Sequence, residues 1–290
     1  MKKLSLILGL AWLMAFRAAA QISVEVVPEQ DQFLPSESVP VAVKITNRSG
    51  QTLHLGADPT WLTFAVESAD GFIVAKNAEV PVIGEFNVGS SQVATKHVDL
   101  KPCFILTRPG RYRIVATVRI KGWAEDMTSP AKNFDIISGV KLWMQDFGMA
   151  PATGPTNQEP EVRKYTLVKA NYLHSQLRLY VQVSDEAEAH IFNVINVGKM
   201  VAFSEPETQL DRFSNLNVLW QSGGRLFTYA VVKPDGTLAR QDIYDYVTTR
   251  PRLAMSDDGT VSVVGGVRRL PPEEMPMVKP PNELPASEKP

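Results

Sequence analysis

The sequence predicts an all-β chain of two successive antiparallel β domains. Three observations lead there: short apolar–polar alternations recur across most of the chain, turn residues punctuate them at fairly regular spacing, and residues 21–137 contain no convincing stretch of helical period. With 290 residues, 44% hydrophobic and 21% charged, the chain has globular composition and room for two ordinary domains.

The first twenty residues, MKKLSLILGLAWLMAFRAAA, read as a secretory signal peptide. Lys2 and Lys3 precede the apolar run Leu4 to Phe16, and Ala18 and Ala20 occupy the small-residue positions before a cut after Ala20. The run is shorter than the ~20 residues that span a bilayer, and no later stretch is long and apolar enough. The expected address is therefore secreted or periplasmic, with no membrane span after cleavage. Losing Lys2, Lys3 and Arg17 leaves 27 basic against 31 acidic residues, a balance that excludes the basic field of a nucleic-acid binder.

Residues 21–137 form the first domain. Its strands are Val24–Val27, Val39–Thr46, Leu53–Leu55, Leu62–Val66 and Phe72–Val74, and Arg111–Lys121 is the longest alternation. Asn47-Arg48-Ser49-Gly50 and Ala69-Asp70-Gly71 make turns. Leu100–Leu106 reads as a further strand-like run holding Cys103. A single cysteine excludes an internal disulfide framework and a thiolate zinc cluster. In an oxidising compartment Cys103 is either reactive or buried as a small hydrophobe, and its apolar run favours burial.

The order Phe33-Leu34-Pro35-Ser36-Glu37-Ser38-Val39, then Val41 to Asn47, resembles the opening of bacterial immunoglobulin-like domains. Leu106-Thr107-Arg108-Pro109-Gly110-Arg111-Tyr112-Arg113-Ile114 resembles their later Pro-Gly turn and strand. The resemblance covers the N-terminal domain and implies an immunoglobulin-like sandwich without the antibody disulfide. It further implies that Tyr112 forms a corner, its hydroxyl bonding back to nearby backbone. It names no ligand.

Residues 138–270 form the second domain, expected as a small sandwich or barrel, with a partial propeller as the alternative. Val140–Phe147 is a strand candidate, and 148–161 has the proline and glycine content of a loop. Strands follow at Tyr165–Val168, Leu177–Val183, His190–Val197, Leu216–Trp220, Arg225–Val232, Leu238–Tyr244 and Val261–Val264. Pro234-Asp235-Gly236 and Asp257-Asp258-Gly259 are hairpin turns. Arg178-Leu179-Tyr180 is echoed by Arg225-Leu226-Phe227, and Leu216–Gln221 by Val261–Gly266, a faint repeat with the size of propeller blades. Residues 271–290, with seven prolines, read as an extended disordered tail.

Chemistry is sparse. His54, His97, His174 and His190 show no metal-ligand spacing. There is no nucleophile elbow and no phosphate loop. Asp185, Glu186 and Glu188 lack the glycine and distant glutamate of a calcium loop, and Asp242 and Asp245 point to opposite faces of a strand. No catalytic, cofactor or metal residues are nominated, and no cofactor is expected. Trp123, on the loop after the Tyr112 strand, is the one possible partner-binding residue, the competing reading being that it folds back to cap the core. Six tyrosines beyond residue 160 offer either a sugar platform or ordinary strand formers. The expected function is that of an exported, non-enzymatic β protein binding a protein or surface partner. A carbohydrate-binding module is the alternative, and a hydrolase with a site assembled from distant residues the weaker third.

Overall fold

A computed structural model describes residues 22–149 and 161–270. The expected signal peptide, much of the expected 148–161 loop and the proline-rich segment 271–290 lie outside them. Among the described residues every regular element is a strand. The chain divides into two compact units: the first runs to Lys199 and takes in Pro234–Thr237, and the second holds Met200–Lys233 and the chain from Leu238 on. The composition break near 138 is thus a change of sheet inside the first unit.

The first unit opens with β1 (Ile22–Pro28), β2 (Gln32–Phe33), β3 (Pro40–Asn47), β4 (Leu53–Leu55) and β5 (Leu62–Ser68). It continues with β6 (Phe86–Val88), β7 (Val93–Asp99), β8 (Gly110–Val118), β9 (Met127–Thr128) and β10 (Lys132–Ile136). One sheet has the order β1-β3-β7. The other has the order β2-β10-β8-β5, with β9 also on β8, and β4 pairs with β6. Period-2 alternation sends Val24, Val26, Val41, Val43 and Ile45 of the first sheet into the same core as Phe64, Tyr112, Ile114, Ala116, Val118 and Phe134 of the second. The two inner faces therefore share one buried core, the two-layer solution for sheets with one apolar face each.

Tyr112 is fully buried near the start of β8, and its hydroxyl donates 2.7 Å to the Arg108 carbonyl. Its ring stacks on Phe134, and Phe72 meets it edge-on. The corner implied by Pro109-Gly110-Arg111-Tyr112 is present.

Two expected strands are not. Leu100–Leu106 is a tight turn, with the Cys103 and Phe104 N–H groups both donating to the Leu100 carbonyl, followed by a single bridge between Phe104 and Lys76. Pro102 has no N–H to give a ladder, so the apolar run turns inward. Phe72–Val74 lies outside any strand. Cys103 is buried and its thiol reaches the Glu79 carbonyl at 3.5 Å.

A further, four-stranded sheet of the first unit is a meander of β11 (Val140–Met149), β12 (Glu161–Tyr172), β13 (Gln176–Asp185) and β14 (Ile191–Lys199), in that order. Val168, Ala170, Tyr180 and Val194 of one face close a small core with Leu34, Ile137 and Ile191.

The second unit contains β15 (Glu207–Leu210), β16 (Leu216–Gln221), β17 (Leu226–Val232) and β18 (Leu238–Asp245), then β19 (Arg252–Met255), β20 (Val261–Val264) and β21 (Val267–Arg268). Its main sheet has the order β15-β16-β17-β18-β21, and β19 and β20 make a separate hairpin across the Asp257-Asp258-Gly259 turn. Of the echoed segments, Arg178–Tyr180 and Arg225–Phe227 fall in or beside β13 and β17, each third in its sheet, whereas β16 lies in a sheet interior and β20 in a hairpin. Leu219, Phe227 and Tyr229 pack with Val231, Tyr244, Leu253 and Val263. Buried Asp242 accepts from Arg240 and Arg268, while Asp245 takes Arg269, so the two carboxylates have separate partners.

Candidate functional site

An open cleft of about 650 Å³ lies between two loops of the first unit, the one after β4 and the one between β8 and β9. The first loop is shaped by Asp58-Pro59-Thr60-Trp61. The Asp58 carboxylate accepts from both the backbone N–H and the hydroxyl of Thr60, each at 2.8 Å, and these bonds hold it below the usual carboxylate range. That closure turns Trp61 inward, where its indole N–H reaches the Val82 carbonyl at 3.4 Å and its ring meets Phe86 edge-on. Gly56, at φ +89°, lies so close to the next loop that a Cβ there would stand 2.1 Å from the Gly84 carbonyl oxygen.

The second loop is tied to the first by the Arg119 N–H, which donates 2.7 Å to the Trp61 carbonyl. The Arg119 guanidinium holds both oxygens of Asp126 at 3.3 Å. The Trp123 N–H donates to the Ile120 carbonyl in a tight turn, and its half-buried indole packs against the sandwich core. Trp123 therefore packs against the core and also lines the cleft. His54 also lines the cleft, bonded to Asn87 at 2.6 Å. Two acids, Asp58 and Asp126, and two bases, Arg119 and Lys121, leave the lining close to neutral.

The sequence nominated only Trp123. His54, Asp58, Trp61, Arg119 and Asp126 were missed, although the Asp-Pro-Thr turn ahead of Trp61 was a usable signal. Of the six tyrosines beyond residue 160, Tyr165, Tyr172, Tyr180 and Tyr229 are buried and Tyr244 is half-buried; Tyr246 is exposed, with the Arg225 guanidinium 5.7 Å from its ring, so the six do not line up as one exposed strip. Among the described residues no three His, Cys, Asp or Glu side chains gather as metal ligands. Glu188 is ion-paired to Lys141 and Lys164 rather than part of a cation loop.

Glu37 carries a buried carboxyl group away from the cleft. Glu37 closes the Leu34-Pro35-Ser36-Glu37 turn by accepting the Leu34 N–H at 2.7 Å, with Ser36 at φ +62°. Burial pushes its carboxyl up to about 7, against the pull of that hydrogen bond and of Arg178. Tyr180, beside it, is pushed up to about 12, first by burial and then by Glu37. Arg178 lies over the Tyr172 ring at 3.4 Å and donates to Gln30 at 2.8 Å, while Leu173 N–H donates to Gln32 at 2.6 Å. These contacts join the sandwich to the β12–β13 hairpin.

The fold and the cleft define an all-β protein with an aromatic, polar-rimmed loop cleft at its sandwich. No protein-family model matches the chain, and no curated protein matches it. Among solved structures it is similar to that of Spo0M, a sporulation control protein from Bacillus subtilis, with 12% identity and a TM-score of 0.31 over 59% of this chain and 83% of that one.

Proposed function

We propose that the chain is an exported, non-enzymatic β protein that binds a protein or surface partner in the cell envelope or outside the cell, using the cleft at Trp123. The observation that carries this reading is a half-buried indole set in an open cleft whose rim is built from fixed polar groups. An aromatic anchor already packed against a core loses little freedom on binding, and the Arg119–Asp126 pair and Asp58 give it a polar rim. Export is supported by the basic start, apolar run and small-residue cleavage pattern of residues 1–20. The immunoglobulin-like reading of the sandwich is supported by the Tyr112 corner.

The test is capture from an envelope extract with the wild-type chain and with Trp123→Ala, in parallel with a glycan array. Trp123→Ala should weaken binding tenfold or more, as expected for an interface anchor at about 2 kcal/mol, while the fold stays intact by circular dichroism. An unchanged partner and affinity in Trp123→Ala would remove the cleft from the function. A glycan hit with no captured protein would move the reading to carbohydrate binding, which the indole beside His54 and Asp58 also suits.

A further inference from the structure

We infer that β11 is a homodimerisation edge, pairing antiparallel with β11 of a second copy across a two-fold axis at Met144. β11 is ten residues long and stands at the end of its sheet, with β12 as its one strand partner among the described residues. A strand of that length normally has its free edge covered, shortened or heavily charged, because its unpaired N–H and C=O groups template further pairing. β11 instead exposes apolar side chains: Val140 is 60% and Met144 51% accessible, and Leu142 and Val162 of neighbouring β12 are also exposed.

The charges favour a second copy of this chain as the occupant. Asp146, Lys164, Glu188 and Lys141 form an alternating row, with Asp146 3.8 Å from Lys164, Lys164 3.7 Å from Glu188, and Glu188 paired to Lys141. The edge is therefore acidic at one end of the row and basic at the other. The ladder with β12 carries a bulge between Lys141 and Trp143, so Lys141, Leu142, Met144 and Asp146 share one face. Antiparallel pairing about Met144 sets Asp146 of each copy opposite the Lys141–Leu142 bulge of the other. It also sets Trp143 opposite Gln145 and the two Met144 side chains against each other. A two-fold axis perpendicular to the sheet keeps each face on its own side and makes the same contacts twice. The four-stranded meander becomes an eight-stranded sheet.

Sedimentation of the purified chain over a wide concentration range tests this. Wild type should show a reversible monomer–dimer equilibrium, and Met144→Lys, which sets two ammonium groups across the axis, should be monomeric, with the melting temperature of wild type measured at a dilution where both are monomers. Met144→Cys should cross-link to a dimer under mild oxidation, because directly opposed residues lie within about 5.5 Å, in disulfide range. Val140→Cys should not, since off-axis copies stand more than about 20 Å apart at ~3.3 Å per residue. Cys103 is buried and contributes no background. A monomer at every concentration, or a dimer that survives Met144→Lys or fails to cross-link through Met144→Cys, overturns the inference. So does a chain that stays monomeric but captures a different polypeptide through β11, which would make the occupant a foreign strand.

Discussion

Replacing Glu37 by Gln should abolish most of the pH dependence of stability near neutrality. Glu37 is buried, and its carboxyl stands at about 7 rather than 4.5. At 1.36 kcal/mol per pKa unit the difference corresponds to about 3 kcal/mol between protonation states. The folded value is the raised one, so the contribution is fully present below 4.5 and is lost as pH rises through about 7. The charged and titratable groups around it are Arg178, which favours the carboxylate, and Tyr180, whose hydroxyl stays protonated across this range. Gln keeps an oxygen for the Leu34 N–H and never ionises. Urea denaturation of both proteins should give curves of stability against pH that run together at acidic pH. Above neutrality they should separate by up to about 3 kcal/mol in favour of Glu37→Gln. A wild-type–variant difference that stays constant from acidic to alkaline pH would show that Glu37 already ionises normally in the fold and would refute the reasoning.

Tyr112→Phe should lower stability by about 1 kcal/mol through loss of the bond to the Arg108 carbonyl. Tyr112→Ala should cost about 3 kcal/mol or more, because it also empties the space between Phe72 and Phe134; chemical denaturation measures both, and neither change should alter partner binding below the melting temperature. Cys103, buried with its thiol pushed up in pKa by that burial, should resist thiol reagents in the native chain and react fully in denaturant, so rapid native labelling would contradict its placement.

The sequence by itself determined the all-β class, most strand positions and the Tyr112 corner, because these rest on local rules. Side-chain alternation has a period of two whatever the strand pairs with, and Pro109-Gly110 sets the approach to β8 from within the same segment. It likewise made Cys103 a buried hydrophobe, although it put that residue in a strand where Pro102 imposes a turn. Only the tertiary structure decided which sheet belongs to which unit. β11 to β14 alternate like any other strands, and nothing local says that Val168, Ala170 and Tyr180 will meet Leu34 and Ile137. The cleft followed the same logic: His54 of β4 and Asp58 just after it lie far along the chain from Arg119 and Asp126 after β8, and the two segments are joined through the Arg119–Trp61 backbone bond. Glu37 shows the difference most clearly. Its turn is local and readable, but its raised pKa exists only because a hairpin more than a hundred residues later buries the carboxyl beside Arg178 and Tyr180. Desolvation is set by what packs against a group, and that is long-range information the local pattern does not hold.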